Sequence, residues 1–290
     1  MYSPDEERSR YIALLLRLGS RFDEGRFRRV YVNRDLNQKA INWIGFDMDY
    51  TLGVYNQTEF DRLCHALTME RMVERYGYPE AIRAIVYDGS FAIRGLVVDR
   101  KLGHILKVDA HGHVVKACHG LTPMPREAAE EYRKDPPELS ERRYDILDTL
   151  FGLPEAFGYA AVVDHLEAAG VEVNFEVLAD QIRDSIDSIH ADGTLKTEVM
   201  GDLSRYFNRD RRLGPALHRL RSAGKKLFLM TNSFYPYTNA VMSYLLENGP
   251  ADYKDWKGYF DVIITGAKKP SFFKPGRPFF VLDDAGDVIG

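Results

Sequence analysis

The chain has 290 residues, of which 45% are hydrophobic, 28% charged and 12% aromatic, a balance that excludes disorder as the main state and a small stapled scaffold. Its 39 basic residues stand against 43 acidic ones, a formal net charge of −4, so no global basic field exists to gather nucleic acid or an anionic membrane. The length predicts two domains, or one large α/β unit carrying an insertion.

The first residues, Met1 to Arg10, mix charges of both signs, and the apolar run Tyr11 to Leu16 is too short for a signal-peptide core or a membrane span, so a cytoplasmic protein is expected. Residues 38–46 are mostly apolar and end abruptly in Asp47 and Asp49, the pattern of a buried parallel strand that delivers carboxylates at its C-terminal end. Gly95 to Ala117 alternates like a β-meander, with turns at Leu102-Gly103 and His111-Gly112. Pro123 to Arg143 is dense in charge and reads as solvated helix faces and loop. The stretch from Tyr144 to Tyr206 reads as helical. Within it Phe175 to Ile189 is amphipathic, with Val177, Leu178, Ile182, Ile186 and Ile189 on one face and Gly193 as the stop. A second buried strand, Lys226 to Met230, runs into Thr231, Asn232 and Ser233 and then a helix, Tyr237 to Leu246. A third, Tyr259 to Thr265, runs into Lys268 and Lys269.

Three buried strands ending in polar groups predict a doubly wound α/β parallel sheet with its site beyond the carboxyl ends of the strands. The roughly 180 residues between the first two strands far exceed a crossover helix, so an inserted domain is expected. The resulting partition is a core over residues 1–120 including the meander, a mainly helical cap over 121–213, and the rest of the core over 214–290. Cys64 and Cys118 lie far apart, outside metal-ligand spacing, and read as core fillers in a reducing compartment. His104, His111, His113 and His119 cluster in the meander without an acidic or cysteine ligand set, and read as a solvated turn.

The chemistry concentrates at the strand ends. Two carboxylates at i and i+2 in a tight turn, Asp47 and Asp49, can serve one pocket, one as nucleophile and the other as proton donor and then acceptor. Thr231, Asn232 and Ser233 offer hydroxyl and backbone N–H groups near a helix start for phosphate oxygens, and taken alone they equally suit a turn and helix N-cap. Lys269 can neutralise both a carboxylate and an incoming phosphate. In the helix from Phe175, Arg183, Asp187 and His190 share one polar face, a spacing that also suits an exposed i,i+4 ion pair.

These segments, GFDMDYTL at 45–52, LMTNS at 229–233 and AKKP at 267–270, resemble the first three motifs of the haloacid-dehalogenase-like superfamily. More narrowly, the chain is similar to the cytosolic purine 5′-nucleotidases that prefer IMP and GMP. VYVNRDL before the first motif, RGLVVDRKLGHILKVDAHGHV after it, YDILDTLFGLPE at 144–155 and YPYTNAVMSYL after the second motif carry that narrower likeness. The resemblance implies an aspartyl-phosphate on Asp47, proton transfer by Asp49, and phosphate binding by Thr231 and Asn232, with Lys269 holding the charge together. It also implies Mg²⁺ at Asp47 and at the Asp49 carbonyl. Phe151 is implied to stack on a purine; Arg183, Asp187 and His190 to read purine and ribose, with Lys196 nearby. Ala191 stands where the animal enzymes carry tyrosine, and Asp148 where an effector-site asparagine is expected. The oligomeric state stays open, a homo-oligomer included.

A fourth acidic motif completes the superfamily's Mg²⁺ site. Asp283-Asp284 is the available candidate, but Ser271 to Arg277 is too short and broken for the required crossover. Phe279 to Ile289 reads instead as a β-hairpin around Asp283 to Gly286, so the C-terminal part of the core is expected to be absent. Two functions follow: a Mg²⁺-dependent phosphatase of purine nucleoside monophosphates, or a nucleotide-binding module of the same fold with impaired catalysis.

Overall fold

The structure is a computed structural model that describes residues 37–134, 136–139, 142–247, 253–276 and 278–290. The expectations for Met1 to Leu16 and the VYVNRDL segment lie outside these residues. The chain divides into two units, Met1–Asn42 and Trp43–Gly290. In the described part of the first, Gln38–Ala40 form a 3₁₀ turn capped by the Asn37 side chain, which accepts from the Lys39 N–H. The strand expected from residue 38 therefore begins only at Trp43, because this capped turn takes the backbone donors a strand would use.

In the second unit the strands, in chain order, are β1 (Trp43–Phe46), β2 (Val54–Tyr55), β3 (Leu96–Asp99), β4 (His104–Val108), β5 (Val114–His119), β6 (Thr122–Pro123), β7 (Tyr144–Ile146), β8 (Phe207–Asn208), β9 (Lys226–Met230) and β10 (Val262–Ile264). The helices are α1 (Gln57–Tyr76), α2 (Arg126–Lys134), α3 (Leu153–Ala168), α4 (Phe175–Ala191), α5 (Thr194–Gly201), α6 (Leu203–Tyr206), α7 (Leu213–Ser222) and α8 (Tyr235–Leu246). The protein is thus α/β with parallel and antiparallel sheets. Among the described residues no helix is long and apolar enough to cross a membrane.

The parallel sheet has the order β1-β9-β10, with Trp43 opposite Lys226 and Val262 opposite Phe228. Leu227 and Leu229 of β9 are fully buried, in one core with Leu217 of α7 and Val241, Met242 and Leu245 of α8. Gly45 is a close-approach residue: a Cβ there would lie 2.2 Å from the Phe228 ring, which instead crosses β1 unobstructed.

The meander is present, but in a larger antiparallel sheet of order β6-β5-β4-β3-β7. Tyr144–Ile146, expected to be helical, is β7 and pairs with β3 from Val97↔Ile146 to Asp99↔Tyr144. A three-residue strand has no periodicity of its own to read; an available sheet edge decides it. The sheet holds strands on both sides of residue 120. The charge-dense segment supplies α2, whose Tyr132 is buried and donates a 2.8 Å hydrogen bond to the fully buried Asp99.

That contact also revises the histidine cluster. His104 pairs through Nδ1 with the Tyr132 hydroxyl at 2.7 Å, and His119 contacts Glu167, so these two belong to packed networks rather than a solvated turn. His111 and His113 do sit in the turn, their N–H groups donating to Asp109. Among the described residues no group of three or more His, Cys, Asp or Glu could hold a metal ion.

Helices α1, α3 and α4 pack on one another. Leu178, Ile182, Ile186 and Ile189 form the buried stripe of α4, whereas Val177 is exposed at the first turn, ahead of the packed face. Gly193, with φ of 83°, ends the run in the left-handed region and starts α5. The C-terminal segment is the expected hairpin: Leu282 bridges Val288, and the Asp283 side chain accepts from the N–H groups of Ala285, Gly286 and Asp287. Asp284 pairs with Lys257 at 2.6 Å. Both cysteines are free thiols, Cys64 buried and Cys118 half-buried.

Candidate active site

After β1 the backbone turns tightly. The Met48 carbonyl accepts the N–H groups of Thr51, Leu52 and Gly53, and Tyr50 takes a φ of 55°. Met48 is fully buried in the core below the sheet. On either side of it, Asp47 turns to Lys269 and Asp49 to Tyr55 and Ser233. The Asp47 carboxylate accepts from the Met48 N–H at 2.8 Å and pairs with Lys269 Nζ at 2.7 Å.

Two strand ends supply the rest. Thr231, at the end of β9, is wholly buried; its N–H donates to the Ile264 carbonyl, its own carbonyl accepts from Ala267, and its Oγ1 accepts from the Ser233 N–H. These bonds lock the turn after β9 to the loop after β10. Asn232 completes the lock: its Oδ1 accepts from the Lys269 N–H at 2.6 Å and its Nδ2 donates to the Lys269 carbonyl at 3.2 Å. Lys269 Nζ also donates to the Met230 carbonyl at 2.8 Å. Ser233, expected to face phosphate, instead donates through its hydroxyl to Asp49 Oδ2 at 2.9 Å. The other Asp49 oxygen accepts from the Tyr55 hydroxyl at 2.7 Å, and that hydroxyl lies 2.8 Å from the Tyr237 hydroxyl.

Beside this corner opens a cavity of about 350 Å³, within the range of small-molecule sites. Asp49, Asn232, Ser233, Tyr55 and Tyr237 form its floor; Phe151, Arg183, Asp187, His190 and Lys196, all expected from sequence, form other walls. Asp47, Lys269 and Thr231 are not among its lining residues. Phe151 packs edge-on against Tyr50 at 4.9 Å and against His190 at 6.3 Å between ring centroids. Lys196 sits over the Tyr237 ring at 5.2 Å. Burial, together with the charge of Lys196, lowers the His190 pKa, with Asp187 and Asp49 opposing; burial lowers that of Lys196 too, with Asp49 opposing.

Arg183 does not use the i,i+4 partner suggested by its spacing. Its Nε donates to Glu155 of α3 at 2.7 Å. Sequence reasoning missed Glu155, which reads as an ordinary acid in the first turn of a helix after Pro154. Tyr55 and Tyr237 were missed as well, since a lone tyrosine carries no local sign of which hydroxyl or carboxylate its own hydroxyl will meet.

Burial pushes the Glu155 carboxyl from its ordinary value of 4.5 up to about 7; Arg183 opposes the shift, and Asp145 and Asp187 add to it. The folded protein therefore holds a proton here that the unfolded chain has lost, and this group's contribution to stability declines as pH rises from about 4.5 to about 7. Replacing Glu155 with Gln is expected to flatten that decline. Melting temperatures of both proteins across pH 4.5 to 8 check this; parallel curves would count against it.

The chain matches the model of the 5′ nucleotidase family over residues 30–289, and it belongs to that family. It is 35% identical over 259 residues to a 5′-nucleotidase domain-containing protein of Dictyostelium discoideum, covering 86% of this chain and 43% of that protein. It is 32% identical over 278 residues to the 5′-nucleotidase domain-containing protein 2 of Rattus norvegicus and of Homo sapiens, covering 89% of this chain and 48% and 51% of theirs. The chain thus spans about half the length of the curated relatives it matches.

Proposed function

We propose that this protein is a phosphoric monoester hydrolase of the haloacid-dehalogenase-like type. In this reading it hydrolyses purine nucleoside 5′-monophosphates of the IMP and GMP kind on a doubly wound core with a mainly helical cap. The observation that carries the reading is one cavity whose wall joins Asp49, Asn232 and Ser233 to Phe151, Arg183, Asp187, His190 and Lys196. A phosphate at the strand ends and a base among the aromatic and charged residues would then share a continuous site.

In the first step an Asp47 carboxylate oxygen attacks phosphorus, the bond to the ribose oxygen breaks, and Asp49 gives that oxygen its proton. In the second, a water gives its proton to Asp49 and attacks the phosphorus of the aspartyl-phosphate, freeing inorganic phosphate and restoring Asp47. Lys269, fixed by Asn232 and 2.7 Å from Asp47, offsets the charge of nucleophile and phosphate together. Phe151 offers a ring face for the base to stack on, and Arg183, Asp187 and His190 offer donors and acceptors to the edge of the base and to the ribose. The oxygens of the Asp47 carboxylate and the Asp49 backbone carbonyl are hard donors of the kind Mg²⁺ takes, alongside water and substrate phosphate. Bound there, Mg²⁺ would supply further charge neutralisation at the phosphoryl group. A cytoplasmic location goes with this reading.

Phosphate release from IMP, GMP, AMP, CMP and UMP, with Mg²⁺ and with a chelator, tests it. Purine substrates should exceed pyrimidines by about 10-fold or more in kcat/KM, and chelation should stop the reaction. Nucleotide binding without any release would favour the binding-module reading instead.

A further inference from the structure

Asp49 is held at both oxygens by hydroxyl groups from distant parts of the chain, Ser233 at 2.9 Å and Tyr55 at 2.7 Å. A phenol has one proton. Because Tyr55 spends its proton on Asp49, the 2.8 Å contact between the two tyrosine hydroxyls must be donated by Tyr237. The order is therefore Tyr237 to Tyr55 to Asp49, each hydroxyl polarising the next. Both tyrosines are almost wholly buried and both line the cavity floor. Phe60 and Phe207 pack on the Tyr55 ring at centroid distances of 4.4 and 4.2 Å, leaving it no room to swing away.

We propose that Tyr55 and Tyr237 form a hydroxyl relay that positions the Asp49 carboxyl for proton transfer to the leaving ribose oxygen, with Ser233 as its counterpart on the other oxygen. The inference rests on the phosphatase reading above. Neither tyrosine reacts with substrate in this account; each acts through Asp49 and is a positioning residue. The relay matters most for an alkoxide leaving group, which cannot depart without a proton, and least for one that departs as a stable anion.

The test compares two esters, IMP and p-nitrophenyl phosphate, in the full-length protein and its Tyr55→Phe, Tyr237→Phe and Asp47→Asn variants, after melting curves establish that each variant folds. Tyr55→Phe should lower kcat for IMP by about 10- to 100-fold with KM little changed, and kcat for p-nitrophenyl phosphate by no more than about 3-fold. Tyr237→Phe, one link further away, should show the same split at smaller size. Should Tyr55→Phe fail to fold, the Tyr237→Phe split decides. Equal losses on both esters, a loss confined to KM, or no loss would overturn the relay, while Asp47-dependent turnover would leave the phosphatase reading standing. Absence of turnover by the unsubstituted protein on both esters would overturn the two together.

Discussion

Asp47→Asn should reduce phosphate release from nucleoside monophosphates by on the order of 10⁴-fold or more, while the protein stays folded. The amide has nearly the shape of the carboxylate and keeps an oxygen for the Met48 N–H, but it is a far poorer nucleophile toward phosphorus. It also loses the charge that pairs with Lys269. That pair is partly exposed, with side-chain exposures of 40% for Asp47 and 22% for Lys269, so its contribution to stability is small, up to about 1 kcal/mol. Phosphate release and thermal melting, measured on the same preparation, separate the two effects. A variant that retained more than about a tenth of the activity would remove Asp47 from the nucleophile's role.

Asp99→Ala should have the largest effect on stability, about 3 to 5 kcal/mol. Asp99 is fully buried in β3 and accepts from Arg143 Nε at 2.9 Å, Arg143 Nη2 at 2.6 Å, the Tyr132 hydroxyl at 2.8 Å and the Lys101 N–H at 3.0 Å. Removing the carboxylate takes the shared acceptor from the quarter-exposed Arg143 guanidinium and the buried Tyr132 hydroxyl beside the antiparallel sheet. Burial alone would raise the Asp99 pKa, but these donors outweigh it and hold the carboxyl below its usual range. The sign follows: the group's contribution is fully present above the ordinary aspartate pKa and is lost as pH falls through the lowered value. Urea denaturation at neutral pH should show a lower midpoint at unchanged slope, and the wild-type advantage should shrink in acid. An unchanged midpoint would show that the network carries no stability.

Much of the candidate site was legible because its residues end local apolar runs. Lys226–Met230 is a strand as read, and Thr231 to Ser233 follow it directly. The third run was placed too broadly: Trp256–Tyr259 is a 3₁₀ turn and the strand is only Val262–Ile264, yet Lys269 still reaches Asp47. Helix α4 also formed where a 3.6-residue period required it, and its polar face does border the cavity. The roles within these segments were harder to read. Ser233 belongs to a motif that suggests phosphate, but its hydroxyl is bonded to Asp49, a residue 184 positions away.

The polar residues at the strand ends and the polar face of α4 are legible from residue order, because both depend on the succession and period of neighbouring residues. Only the tertiary structure decided that Arg183 answers Glu155 rather than Asp187, that Tyr144–Ile146 completes a sheet, and that Tyr237, Tyr55 and Ser233 converge on Asp49. The physical reason is common to all three. A hydrogen bond or ladder pair is decided within a few tenths of an ångström, by how elements far apart in the chain pack, and no local pattern records that distance.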